Sequence, residues 1–227
     1  VMSYGNNSGA IGFLVGQENQ GLAAMFTMMN NARLNIGISG LAIAERSYQQ
    51  ARDYAKQRTQ FGAIINHPDI RRMLMLMKSQ IEAMRAVTYD AALALDGAKR
   101  YAEESERLQA QARVDLLIPM VKGWCTELGV EISSLALQVH GGAGYIAETG
   151  IAQHYRDARI APIYEGTNGI QAIDLVGRKI LRDKGTAMSA FVNDARTVLK
   201  QAKTDGKSRS IVAAVEEALN ELATTTN

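Results

Sequence analysis

The sequence predicts an all-α protein, built on an antiparallel four-helix bundle with a short β segment at its N-terminus. Three observations favour this fold class. The 227 residues include only 3 prolines, and residues of high helix propensity are abundant. Apolar residues recur at spacings of three to four over several long stretches, as on one face of a helix. The connections between these stretches are short, so consecutive helices are expected to be antiparallel neighbours.

The first 20 residues are the only part of the chain with β character. Residues 10–16 alternate apolar and small residues between glycines, which is typical of a short strand. The helical period begins at Leu22 and continues towards Tyr54, giving one long helix. Gly37 and Gly40 inside it each cost about 1 kcal/mol relative to alanine. They therefore predict close approach to a neighbouring helix or a ligand.

The remaining helices follow from their start and stop signals. Pro68 and Asp69 open a second helix that runs to about residue 95, with proline in its favoured first-turn position. A third helix is predicted from near Pro119 to Gly141. A fourth is predicted over residues 167–184, followed by two amphipathic helices over 187–203 and 211–222, separated by a turn at 204–208. The apolar face of the fourth helix is predicted to consist of Ile170, Ile173, Leu175, Val176, Ile180 and Leu181.

Composition excludes several classes of protein. The net charge of +2 gives no electrostatic basis for nucleic-acid binding. No apolar run approaches the roughly 18 residues needed to span a membrane. The single cysteine, Cys125, is interpreted as a small buried apolar side chain and suits a reducing compartment, so we expect a bacterial cytoplasm or, in a eukaryote, the mitochondrial matrix. The three histidines show no metal-ligand spacing with one another or with Cys125, and no metal site is predicted.

The strongest functional signal is Glu165, which lies between Tyr164 and Gly166 just before a predicted helix. A carboxylate near a helix N-terminus, with free backbone N–H groups beside it, is well placed to act as a base. Three further motifs accompany it: residues 58–62, 138–145 and 155–160. The glycines at 142 and 144 close a helix instead of opening one after a strand, so they do not form a dinucleotide-binding fingerprint.

In their order and spacing, these four motifs resemble the C-terminal half of the acyl-CoA dehydrogenase family over roughly residues 10–184. The resemblance implies that residues 1–20 are the tail of a central β-domain, that 21–184 form the C-terminal four-helix bundle, and that 185–227 begin an additional helical region found in a larger bacterial branch. It also implies that Glu165 removes the α-proton of an acyl-CoA thioester while FAD N5 accepts a hydride, giving a trans-2-enoyl-CoA. Some branches carry the base directly before the residue matching Arg33, where this chain has Ala32.

The resemblance assigns further roles one residue at a time. Arg33, Tyr164 and Gly166 match positions at the substrate, with Arg33 near the CoA moiety. Thr167 and Gly169 match positions at the subunit's own FAD, although Gly169 replaces a glutamate or glutamine, which weakens that contact. A neighbouring subunit's FAD is expected to contact Arg58, Phe61, Gln138, Val139, His140, Gly141 and Gly142. These roles imply a homo-oligomer, a dimer or dimer of dimers, with electron-transferring flavoprotein as the expected electron acceptor.

Other functions remain open at this point. An acyl-CoA oxidase shares the glutamate but passes electrons to O2, and no residue of the sequence separates the two enzymes. A non-catalytic relative that kept the fold for binding is disfavoured by the presence of Glu165 and by the near-neutral charge. A helical oligomerisation module is the remaining alternative.

Overall fold

The computed structural model describes residues 2–202 and 209–226, and within these ranges the predicted all-α four-helix bundle is confirmed. The predicted turn at 204–208 lies outside the described residues. Three long helices are followed by shorter helices and by a π-helical segment at Asp174–Ile180. The helices are α1 (Gly21–Gln57), α2 (Pro68–Arg100), α3 (Glu104–His140), α4 (Gly142–Tyr145), α5 (Ile151–Ala158), α6 (Asn168–Ile173), α7 (Thr186–Ala202) and α8 (Arg209–Thr226). Short 3-10 turns cover Ile64–Asn66 and Ala147–Thr149.

The helices alternate in direction, which makes α1 and α3 parallel. Gly37 of α1 faces Val121 of α3, and further along the same two helices Tyr54 stacks on His140. The α2 helix packs against both of them and runs in the opposite direction. The apolar core lies along the shared faces of α1, α2 and α3, and several polar side chains, among them Thr88, Lys122 and Thr126, are buried with it. None of the helices in the described ranges is long and apolar enough to cross a membrane.

The predicted strand at residues 10–16 is not formed. Residues 2–20 are exposed and have no regular structure, and the β pairing in the described ranges is limited to an isolated bridge between Thr59 and Ala63. A strand is stabilised by hydrogen bonds to a partner strand, and the described residues provide none. The assignment of residues 1–20 to a β-domain stays a prediction.

The predicted start of the third helix is wrong. α3 begins at Glu104, with acidic residues in its first turn, and Pro119 lies inside it. Proline inside a helix removes a backbone hydrogen bond. Here the neighbouring residues are buried on several sides, including Leu116, Leu117 and Ile118. Tertiary packing therefore outweighs the local preference of proline for a helix start.

The predicted apolar face of the fourth helix is wrong in part, since only Leu175 and Ile180 pack against an apolar cluster. Ile170, Ile173 and Val176 are each about half exposed or more, whereas Gln171 and Asp174 face inward and are buried. The helix is shorter than predicted and changes to π-helical geometry at Asp174. Its inner face is polar because it meets charged residues of α1 and α3, described below.

Helices α7 and α8 pack on each other and on α3 through a second apolar cluster. Met188 and Val192 of α7 contact Leu219 of α8 and Leu116 of α3. The assignment of this region to a separate domain stays a prediction.

Candidate active site

The turn that carries Glu165 has an unusual backbone conformation. Glu165 has a φ of +56° and Gly166 a φ of +80°, so two successive residues are in the left-handed region. Glutamate rarely adopts this conformation, whereas glycine does so readily. Directly after the turn, the Thr167 hydroxyl caps α6 by accepting a hydrogen bond from the Ile170 N–H at 3.3 Å.

The carbonyl oxygens of Glu165 and Gly166 both accept hydrogen bonds from side chains of α3 and α6. The Lys122 ammonium of α3 donates to the Gly166 oxygen at 2.7 Å, and the Gln171 amide donates to the same oxygen at 3.2 Å. The Gln171 amide also reaches the Glu165 oxygen at 3.4 Å. The hydrogen bonds of the described residues include none donated by the Glu165 N–H and none made by its carboxylate. The turn therefore presents an N–H donor and a half-buried carboxylate that are both available to a ligand.

A buried ion pair lies under the same turn. The Arg33 guanidinium is 3.1 Å from the Asp174 carboxylate, and both side chains are at least nine-tenths buried. A Cβ added at Gly166 would stand 3.7 Å from Arg33 Nη2 and 2.9 Å from Gln171 Nε2. The backbone conformation favours glycine at position 166, and a Cβ there would also require the Gln171 amide to shift. Arg33 lies beneath the turn instead of on the surface, and its predicted contact with CoA stays a prediction.

The charges beneath the turn influence one another. Burial lowers the pKa of the Lys122 ammonium, and the neighbouring Arg33 guanidinium lowers it further. The carboxylates of Glu165 and Glu127 act in the opposite direction. Lys122 and Arg33 thus bring positive charge close to the Glu165 carboxylate.

A second region brings together two of the sequence motifs. A cavity of about 530 Å³ lies between the loop after α1 and the end of α3. Arg58 and Phe61 line it on one side, and residues 138–142 line it on the other. Phe61 is 97% exposed and has a φ of +53°, so its ring projects from the loop. A Cβ added at Gly141 or Gly142 would meet no atom within 4 Å, so their backbone is open to a ligand.

His140 forms part of the wall of this cavity. Its ring stacks on Tyr54 with 4.3 Å between the ring centres, and Nδ1 lies 2.8 Å from the Ala136 oxygen. That oxygen can only accept, so Nδ1 carries the proton. Burial lowers the pKa of the His140 imidazole, which keeps the ring neutral over a wider range of pH.

The two regions lie far apart in one chain. Lys122 and His140 are 18 residues apart on α3, and at 1.5 Å per residue this separation is about 27 Å. Arg33, Tyr164, Gly166, Thr167 and Gly169 therefore surround Glu165, whereas Arg58, Phe61 and residues 138–142 form a separate surface.

Four residues around Glu165 were missed by sequence reasoning: Lys122, Asn168, Gln171 and Asp174. Lys122 alone carried a usable signal, because it is a single lysine on the helix face that also carries Ile118 and Cys125.

The side chain of Cys125 on α3 is buried as predicted, and burial raises the pKa of its thiol to about 11.

Comparison with known proteins agrees with the fold. The family model for the acyl-CoA dehydrogenase C-terminal domain matches residues 19–181. The chain belongs to the acyl-CoA dehydrogenase family.

The individual relatives are longer proteins, of which this chain covers a part. It is 51% identical over 201 residues to the 3-methylmercaptopropionyl-CoA dehydrogenase of Ruegeria pomeroyi, covering 84% of this chain and 34% of that protein. It is 31% identical to subunit CarC of the caffeyl-CoA reductase–Etf complex of Acetobacterium woodii, covering 72% of this chain and 40% of that protein. The structure of Caenorhabditis elegans ACDH-11 in complex with C11-CoA matches with a TM-score of 0.83 and 26% identity, over 92% of this chain and 35% of that chain. The chain thus spans about a third of the length of these relatives.

Proposed function

We propose that this chain carries the catalytic base of an FAD-dependent acyl-CoA dehydrogenase, and that Glu165 removes the α-proton of an acyl-CoA thioester. The observation that carries the proposal is the conformation of the Glu165–Gly166 turn. Its two carbonyl oxygens accept hydrogen bonds from Lys122 and Gln171, whereas the Glu165 carboxylate and N–H stay available to a ligand. A base must come within hydrogen-bonding reach of the proton that it removes. The names of the relatives share an acyl thioester of CoA as substrate, and the proposal extends to that class of substrate.

The Glu165 N–H has a second role in this proposal. As the α-proton leaves, negative charge develops on the thioester oxygen, and a fixed backbone donor aimed at that oxygen stabilises it. The same residue would thus take the proton through its carboxylate and bind the developing oxyanion through its N–H. Gly166 leaves room beside the thioester because it has no Cβ.

The residues present fit an FAD. The Arg58 guanidinium is suited to a diphosphate, the open backbone at Gly141 and Gly142 allows close approach, and the exposed Phe61 ring offers an apolar face. When bound, FAD supplies the acceptor at N5 for the β-hydrogen as hydride, so that the product is a trans-2-enoyl-CoA. Thr167 and Gly169 lie beside Glu165 and would contact the FAD that serves the same base.

We further propose a homo-oligomer in which the cavity at Arg58 contacts the FAD of a neighbouring subunit. That assignment is supported by the distance along α3 from Lys122, beneath the Glu165 turn, to His140 in the cavity wall, which is about 27 Å at 1.5 Å per residue. The exposed isoleucines on the outer face of α6 support it too, since contiguous exposed apolar surface marks interaction sites. Electron-transferring flavoprotein is the proposed electron acceptor, because CarC is a subunit of an Etf complex.

The test uses the flavoprotein that contains this chain. Its flavin spectrum is recorded without oxygen, before and after addition of a panel of acyl-CoA thioesters. Bleaching that is lost in Glu165→Gln and kept in Glu148→Gln, a change at an exposed glutamate, is the expected result. Equal bleaching in Glu165→Gln would assign the base elsewhere.

Two alternatives have separate outcomes in the same experiment. Rapid reoxidation of the bleached flavin by air would favour an acyl-CoA oxidase. A purified protein that takes up no flavin, with or without thioester, would favour the oligomerisation module.

A further inference from the structure

Lys122 is an unusual residue for the centre of a helical bundle. Its relative exposure is 0%, and it is among the largest side chains in the chain that are wholly buried. Lysine is almost never fully buried without a partner, because removing an ammonium from water is costly. The partners of Lys122 therefore indicate why a cation is placed there.

Those partners belong to the segment that follows the base. The ammonium donates to the Gly166 oxygen at 2.7 Å and to the Asn168 side-chain oxygen at 3.2 Å. The first acceptor is the carbonyl of the left-handed residue directly after Glu165. The second belongs to the first residue of α6. Lys122 thus connects α3 to Gly166, directly after Glu165, and to Asn168, at the start of α6.

The Asn168 side chain is itself held in place by four partners on α3. Its amide donates to the Gly123 oxygen at 3.1 Å and to the Glu127 carboxylate at 2.8 Å. Its oxygen accepts from the Thr126 hydroxyl at 3.2 Å as well as from Lys122. The start of α6 is therefore fixed to α3, and the Lys122 ammonium is the member of this network that also binds the turn.

We propose that Lys122 is a positioning residue for the base, whose ammonium holds the Glu165–Gly166 turn in its left-handed conformation and thereby aims the Glu165 carboxylate and N–H at the thioester. This inference rests on the proposed function of Glu165. The charge of the ammonium contributes as well, because it attracts the Glu165 carboxylate. Arg33 and Glu127 are the other charged groups near the ammonium.

A purely structural role predicts something different. A side chain that only filled the bundle would affect stability alone, since removing one member of a buried polar network costs stability. A core-filling role therefore predicts an unchanged proton-transfer rate in a folded Lys122→Met protein. A positioning role predicts a slow proton transfer with normal substrate binding, since small displacements of a catalytic group can lower the rate about 100-fold.

The experiment isolates the proton step from the redox step. An acyl-CoA without β-hydrogens, 3,3-dimethylbutyryl-CoA, can lose and regain its α-protons but cannot be dehydrogenated. It is incubated with the flavoprotein in D2O, and deuterium uptake at the α-carbon is followed by mass spectrometry. In this exchange Glu165 takes a proton from the α-carbon, exchanges it with solvent and returns a deuteron, so that no electron acceptor is needed.

We compare the wild type with Lys122→Met, Glu165→Gln and Ser133→Ala. Ser133 is a matched control, because it is also wholly buried on α3 but binds only the Val130 oxygen. Lys122→Met is expected to slow exchange about 100-fold at saturating thioester. Its dissociation constant for the thioester and its flavin content are expected to stay within a few-fold of the wild type. Ser133→Ala is expected to exchange at the wild-type rate.

The outcomes separate this inference from the function on which it rests. If Glu165→Gln exchanges as fast as the wild type, the proposed function fails, and the positioning role fails with it. If Glu165→Gln stops exchange while Lys122→Met does not slow it, the positioning role alone is overturned. A Lys122→Met protein that loses thioester binding and flavin in proportion to its rate would assign Lys122 a structural role and would also overturn it. Should Lys122→Met fold poorly, Lys122→Gln provides the same test, because the shorter neutral side chain does not reach the Gly166 oxygen.

Discussion

Gly40 of α1 and Gly129 of α3 lie backbone to backbone. A Cβ added at Gly129 would stand 3.2 Å from the Gly40 Cα, and one added at Gly40 would stand 2.5 Å from the Cys125 oxygen. This contact confirms the expectation that glycines inside the first helix serve close approach to a neighbouring helix. The short distance between α1 and α3 also brings Arg33 and Lys122 under the same turn, so it bears directly on the proposed active site.

A first prediction concerns this contact. Gly40→Ala is expected to lower the free energy of unfolding by about 1–3 kcal/mol, because overpacking a close helix contact outweighs the gain in helix propensity. Gly177→Ala is the control, since a Cβ there would meet no atom within 4 Å. Urea unfolding of both variants provides the measurement. If Gly40→Ala is as stable as Gly177→Ala, glycine does not limit the distance between the helices.

A second prediction concerns the buried pair of Arg33 and Asp174. Arg33→Met is expected to destabilise the protein by up to about 3–5 kcal/mol, because the buried Asp174 carboxylate then keeps only the exposed Arg178, 3.6 Å away, as a cationic partner. The double variant with Asp174→Leu is expected to recover much of that loss. A double-mutant cycle by urea unfolding tests the coupling between the two changes. Additive effects would mean that the pair contributes no coupling energy.

A third prediction tests the cavity as a flavin site. Arg58→Ala is expected to raise the dissociation constant for FAD about 10- to 100-fold, the usual effect of losing a hydrogen bond to a charged group. Arg72→Ala is the control, because Arg72 is exposed and pairs with Asp69 on the same helix. Titration of the apoprotein with FAD, followed by flavin fluorescence, gives both constants. Equal constants for the two variants would remove Arg58 from the flavin site.

A fourth prediction concerns pH. Burial lowers the pKa of His140 in the folded protein below its unfolded value of about 6.5. The unfolded state therefore binds more protons between the two pKa values, and stability falls as the pH drops from about 6.5 through the folded pKa.

The variant His140→Phe tests this directly, since it keeps a ring beside Tyr54 but cannot titrate. Its free energy of unfolding is expected to change less than that of the wild type between about pH 7.5 and 5. His154, whose pKa burial also lowers, still contributes to the remaining slope in both proteins. Identical pH profiles would show that His140 does not titrate differently on folding.

The sequence was informative where a signal is local. The limits of α1 and α2 lie close to those predicted, because apolar periodicity, Pro68 and the connecting loop depend on residues near one another in the chain. The position of Glu165 directly before a helix was predicted for the same reason, since the Thr167 cap is a local signal. The early start of α3 was missed because Pro119 is a local helix-start signal that buried neighbours override.

By itself, the sequence determined the helical fold class, the two glycines at the α1–α3 contact and the membership of the motifs in one family. Only the tertiary structure decided which face of α6 turns inward, that Lys122 binds the Gly166 oxygen, and that Arg58 lies in a cavity at the end of α3 while Glu165 lies over its middle. Periodicity assumes that apolar residues face the core. The inner face of α6 is polar because Arg33 and Lys122, more than 40 residues away in the chain, need buried partners there. These charges come together only after folding, so the sequence of the helix alone does not show which of its faces is buried.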